Sequence, residues 1–130
     1  MSLMAIMVMA LAAGFTSCNE KVESQIFDLS YDAGDLGNGT AMSYEQNYKP
    51  IIIAALSKVA KPVTEGGTTF MLNTTQGAAQ KVMKEAFENG TSAAQKAAGE
   101  PSIFQGLKVI LKYSTTSNQT PVDFLEYTFK

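Results

Sequence analysis

From Gln25 onward the apolar residues of this chain change their spacing repeatedly, and the order of those changes limits what it can fold into. Phe27, Leu29 and Tyr31 recur at every second position, the mark of a strand with one buried face. Ile52, Ala55, Leu56 and Val59 then recur at helical spacing. They predict a helix from Pro50, whose missing N–H is spare in a first turn, to Lys61, with Pro62 helping to stop it. Thr68 to Leu72 reads as a short strand with Phe70 and Leu72 inward. A second helix follows from an N-cap among Asn73, Thr74 and Thr75 to about Glu88, with Asn89-Gly90 as its stop. Its apolar stripe is Ala79, Val82, Met83 and Ala86, with Phe87 at the margin, and residues 91 to 98 add a further turn or two before Gly99-Glu100-Pro101.

The chain ends in two strand-like runs. Leu107, Val109, Leu111 and Tyr113 alternate with more polar neighbours, and after a turn at Thr115 to Thr120 the run PVDFLEYTFK predicts a β-hairpin. In that last run Val122 and Phe124 share one parity while Leu125, Tyr127 and Phe129 share the other. Both sets reach one face only if a bulge intervenes near Phe124-Leu125. Residues 41 to 48 fit neither period, and pairing of Met42 to Tyr48 as an extra strand is the alternative. The expected fold is α+β: a mostly antiparallel sheet of three to five strands, with two main helices packed on one face and a C-terminal β-hairpin. With 130 residues, one domain accounts for the chain.

The N-terminal segment has a different logic. Leu3 to Ala13 reads LMAIMVMALAA, apolar and without charge, which suits the core of a signal peptide. A bilayer-spanning helix needs roughly 17 to 25 such residues. Just beyond it, Phe15-Thr16-Ser17-Cys18 resembles the lipobox of bacterial lipoproteins, in which small residues precede a cysteine that is acylated and becomes the first mature residue. Phe15 stands where that family usually has Leu, and Met1-Ser2 lacks the customary Lys or Arg. The resemblance implies residues 1-17 as signal peptide, 18-24 as lipid anchor (Cys18) and spacer, and 25-130 as the folded domain. It also implies export and attachment to the cell membrane or outer membrane.

The inventory of side chains excludes several kinds of chemistry. There is no His, the one Cys is Cys18, and all ten basic residues are Lys, for a net charge of -2. Zinc sites built on thiolates and imidazoles, Cys-His proteases and His-based serine triads are therefore excluded, and no cofactor motif is present. A nucleic-acid partner is not expected without a basic field or Arg forks. What remains is modest. Asp32, Asp35, Asn38 and Thr40 gather oxygens in a glycine-rich loop near Asp28, a pattern shared by calcium sites and ordinary turns. Asp28, Glu45, Asp123 and Glu126 are the carboxylates on or near strands that a small hydrolase would use. Tyr31, Tyr44, Tyr48, Tyr113, Tyr127 and Phe129 offer aromatic contacts for a protein or glycan, although strand tyrosines also pack in cores. The sequence is read as a non-enzymatic, envelope-tethered binding or accessory domain. A carboxylate-dependent hydrolase and a self-associating structural lipoprotein are the alternatives.

Overall fold

A computed structural model describes residues 21–130; the apolar leader and Cys18, on which the lipobox reading falls, lie outside the described residues. The elements are β1 (Glu23–Asp32), α1 (Asn38–Ser43), a π-helical turn (Tyr44–Tyr48), α2 (Lys49–Ser57), β2 (Lys61–Pro62), β3 (Thr69–Thr74), α3 (Gln76–Ala98), β4 (Lys108–Thr115) and β5 (Val122–Thr128). All five strands pair antiparallel in the order β2-β3-β1-β4-β5. The expected α+β architecture is present, with α2 and α3 packed against each other and the β4–β5 hairpin closing the chain. β1 begins two residues before Gln25, so Glu23 and Ser24 belong to the sheet.

Several boundaries differ from expectation, each for a physical reason. Residues 41 to 48 are helical, so Met42 to Tyr48 adds no strand. Pro50 has no N–H to donate, and its ring crowds the carbonyl four residues back. Just ahead of it the helix widens into a π turn, in which the Lys49 N–H reaches the Tyr44 carbonyl. That wider turn keeps Tyr44 and Tyr48 on one side, where both stack on Phe104 at ring-centre distances of 5.9 and 5.0 Å. α2 stops at Ser57, because Lys61-Pro62 is drawn into the sheet edge opposite Met71 and Phe70. Val59, expected inside, is 40% exposed.

The largest departure is α3. Thr75 caps it, its Oγ1 accepting from the Ala78 N–H at 3.3 Å, but Asn89-Gly90 does not end it. The helix runs on to Gly99, which takes a positive φ of 85° and donates its N–H to the Gln95 carbonyl. Gly90 is instead the point of closest approach to α2: a β-carbon there would lie 3.0 Å from Ala55 Cβ and 3.1 Å from Ile52 Cα. The buried stripe is accordingly Ala79, Met83, Ala86, Phe87, Gly90, Thr91 and Ala94, with Phe87 inside rather than marginal and Val82 at the solvent edge.

The bulge expected in the last strand is present. Leu111 faces Leu125 and Lys112 faces Asp123, leaving Phe124 as the extra residue. It turns inward onto Phe27 and Tyr113, so Phe124, Leu125, Tyr127 and Phe129 all pack against the core despite their mixed parity. The inner face buries Phe27, Leu29, Phe70, Val109 and Leu111 beneath Ile52, Leu56, Met83 and Phe87. Gln25 is fully buried among them. Its amide is satisfied by the Thr74 carbonyl at 2.9 Å and by the Tyr113 hydroxyl, which donates to it.

The outer face carries the opposite character. Asp28 accepts from Thr68 and Thr69, Lys112 pairs with Asp123 at 3.3 Å, and Lys108 pairs with Glu126 at 3.7 Å. These exposed pairs add little stability and chiefly keep the face wet.

One core group is badly placed. Tyr44 is fully buried between Tyr31, Phe104 and Phe129, and its hydroxyl has no hydrogen-bond partner among the described residues. Burial, with Tyr31 and Glu45 adding to it, holds that phenol far above its ordinary value, so it stays neutral. Tyr44→Phe removes an orphaned polar atom and keeps the ring, and it should raise stability by about 1 kcal/mol. A urea midpoint at or below that of the parent protein would show that the hydroxyl is satisfied after all.

Candidate functional site

Between the second half of helix α3 and the end of β5 lies an open concavity on the surface. It encloses about 640 Å³ and is lined by Glu88, Thr91, Ser92, Gln95, Lys96, Gly99, Glu100, Tyr127 and Lys130. That volume falls in the range of small-ligand sites, although the groove is open rather than a closed pocket.

The floor is held by a single amide. Gln95 Nε2 donates to the carbonyls of Gly99 at 2.7 Å and Lys130 at 3.1 Å, while its Oε1 accepts from the Lys130 N–H at 2.9 Å and the Tyr127 hydroxyl at 2.6 Å. Both donors and both lone pairs of the amide are thereby used. The Ser102 N–H also donates to the Lys130 carbonyl, at 2.8 Å, which ties the 100–106 segment to the same point. Burial, with the Glu100 charge adding to it, pushes the Tyr127 phenol upward, so it remains a neutral donor. With the tyrosine hydroxyl and the glutamine amide engaged internally, the groove still offers the Ser92 hydroxyl, the open part of the Tyr127 ring, which packs edge-on against Phe129, and the opposed charges of Glu88, Lys96, Glu100 and Lys130. Such a lining can grip a polar ligand by several weak contacts. It contains no nucleophile activated by a base.

A second cavity of about 270 Å³ lies at the opposite end, lined by Glu23, Gln76, Tyr113, Ser114, Thr115, Ser117, Asn118, Thr120 and Val122. Here Glu23 organises the hairpin turn: its carboxylate accepts from the Ser117 N–H at 2.9 Å and the Ser117 hydroxyl at 3.1 Å. The Ser117 hydroxyl bond, followed by the backbone bond and the nearby Lys21 charge, outweighs desolvation and lowers the Glu23 pKa. A depressed carboxylate favours the folded turn at pH values above its unfolded value and loses that effect as pH falls through the folded one. The turn should therefore loosen only below the ordinary carboxylate range. Amide exchange at Ser117 that accelerates on acidification from neutral to pH 5 would contradict this.

The residues singled out from sequence scatter. Asp32 Oδ1 accepts from the Gly34 N–H at 2.9 Å and Gly34 adopts a positive φ of 58°, so Asp32 shapes the turn, while Asn38 is the first residue of α1. Among the described residues no group of three or more His, Cys, Asp or Glu is placed to hold a metal ion. Asp28, Asp123 and Glu126 lie on the outer face beside threonines and lysines. Glu45 is on the other side, accepting from the Tyr31 hydroxyl at 2.8 Å and pairing with Lys49 at 3.5 Å. The four carboxylates do not converge. Of the aromatics, Tyr127 lines the groove and Tyr113 the smaller cavity, while Tyr44 and Phe129 are core.

Gln95, the centre of the groove, carried no signal on its own. Continuing the helical period through Gly90 would have placed it one turn beyond Thr91, on the side facing the last strand. Comparison with family models, with characterised proteins and with solved structures finds no match for this chain.

Proposed function

We propose that the protein is an envelope-tethered, non-enzymatic binding or accessory lipoprotein, anchored through Cys18, whose ligand site is the groove between α3 and the C-terminal strand. The observation that supports a binding role most directly is the groove itself: a concavity of about 640 Å³ with a half-buried tyrosine, opposed charges on its rim and a floor fixed by Gln95. A surface of this kind recognises without needing to react. The anchor rests on the likeness of Phe15-Thr16-Ser17-Cys18 to a lipobox. A triacylated cysteine supplies enough buried methylenes for durable attachment, where a single chain would not.

Two measurements test the reading. Cys18→Ala should leave an uncleaved precursor without acyl mass, and normal processing of that variant would refute the anchor. Cross-linked, gently solubilised membranes of the native host should yield a reproducible partner that is lost on reversing the rim charge with Lys96→Glu. If the protein instead turned over an envelope substrate, and one carboxylate substitution abolished turnover without unfolding it, the binding role would be wrong.

A further inference from the structure

The groove and the point where the chain enters the domain lie at opposite ends. Glu23, the first residue of β1, sits across from Thr74, and α3 starts immediately after the Thr75 cap, so the chain entry and the start of α3 share one end. The turn between β4 and β5 is at that end too, because the Thr116 N–H donates to the Ser24 carbonyl and Ser117 is bound by Glu23. Tyr127 lies across from Val109, which lies across from Tyr31, near the far end of β1. Lys130, Gly99 and the 100–106 segment gather there as well. The 23 residues of α3 span about 34 Å at 1.5 Å per residue, and the groove occupies the second half of that length.

Accepting the Cys18 anchor proposed above, we infer that the end built from Val22, the 116–121 turn and Val122 rests on the lipid surface, and that the groove opens away from it. The argument is one of reach. Five residue steps separate Cys18 from Glu23 and extend at most about 18 Å. Turning the far end onto the bilayer would lift Glu23 roughly 30 Å from the surface, the length of β1 at about 3.3 Å per residue, and the tether cannot follow.

The entry end is also suited to an interface. Val22 is 67% exposed and Val122 54%, with Lys21 beside them able to meet anionic headgroups. Exposure alone does not choose the end, since Ile103 at the far end is 71% exposed. The short tether does. Whatever fills the groove must therefore come from the aqueous side, and lipid cannot compete for it.

The test uses the acylated full-length product in vesicles of phosphatidylethanolamine and phosphatidylglycerol that carry a headgroup-level nitroxide quencher. Acylation consumes the one native thiol, so Gln119→Cys at the hairpin turn or Ala97→Cys at the end of α3, both exposed, provides the only site for a fluorophore. Quenching at position 119 should exceed that at position 97 several-fold. Equal or reversed quenching in protein whose mass shows acylated Cys18 overturns the seating while leaving the lipoprotein reading intact. A mass without the acyl group overturns the lipoprotein reading, and the seating with it.

Discussion

Gly90→Val should be among the most damaging single substitutions in the domain, lowering its stability by about 3 kcal/mol. The cause is the crossing of α2 and α3. At Gly90 even one added carbon would approach Ala55 Cβ to 3.0 Å and the Ile52 backbone to 3.1 Å at Cα and 3.4 Å at the carbonyl oxygen. Two of those neighbours are backbone, so no side-chain rotation relieves the contact and the helices must separate. Separation would in turn loosen Ile52 and Leu56, both fully buried beneath the sheet. Gly90→Ala provides the internal control. It meets the same contacts with one carbon, but alanine gains roughly 1 kcal/mol of intrinsic helix preference over glycine, so it should fall well short of the valine effect. Urea denaturation of the three proteins decides the matter. A valine variant with the parent midpoint would mean that the helices do not cross so closely.

The second large effect should follow Gln95→Ala, with a loss of about 2 to 3 kcal/mol. Four hydrogen bonds meet at this amide, each contributing roughly 1 kcal/mol net, and water entering the open groove can replace only part of them. Gln95→Glu separates hydrogen bonding from size. It keeps the two acceptor contacts but directs a carboxylate at the carbonyls of Gly99 and Lys130, which the amide had served as a donor, so it should be no better than alanine. The damage should also be local. Amides of residues 100 to 106 and of the end of β5 should lose exchange protection, while β1 and β3 keep theirs. Uniform loss across the sheet would argue that Gln95 supports the whole core rather than the groove floor.

The sheet was largely legible because period-two burial is a strong signal: Phe27, Phe70 and Val109 sit on the buried face their alternation predicts. Even the bulge at Phe124 could be read, since two sets of apolar residues on opposite parities cannot otherwise share a core. The helices were harder, for the reason that tertiary contact overrides local preference. Asn89-Gly90 has the chemistry of a helix stop, yet the glycine is required by a neighbouring helix that no local window contains. Tyr44 to Tyr48 has no simple period because the π turn ahead of Pro50 changes the number of residues per turn. The groove was illegible for a related reason. Its residues come from the second half of α3, from Gly99 and Glu100 just after it, and from Tyr127 and Lys130, and Gln95 makes its hydrogen bonds only when those segments meet. Asp32, Asp35 and Asn38 stand out in the sequence where Gln95 does not, because turns and ligand loops draw on the same short polar residues.

The position of β1 in the middle of the sheet bears on how the chain acquires its structure. That strand is completed on one side by residues 69 to 74 and on the other by residues 108 to 115, and Gln25 pairs with Thr115, far along the chain. Contacts so distant along the sequence must close long loops before they return any stabilisation, which slows folding toward the millisecond-to-second range typical of non-local topologies. One edge of β1 can pair with β3 as soon as residues 69 to 74 are available, while the other edge waits for residues 108 to 115. The pairing pattern thus leaves the sheet in two parts until β4 joins β1, and lets the domain close as a unit when that strand arrives.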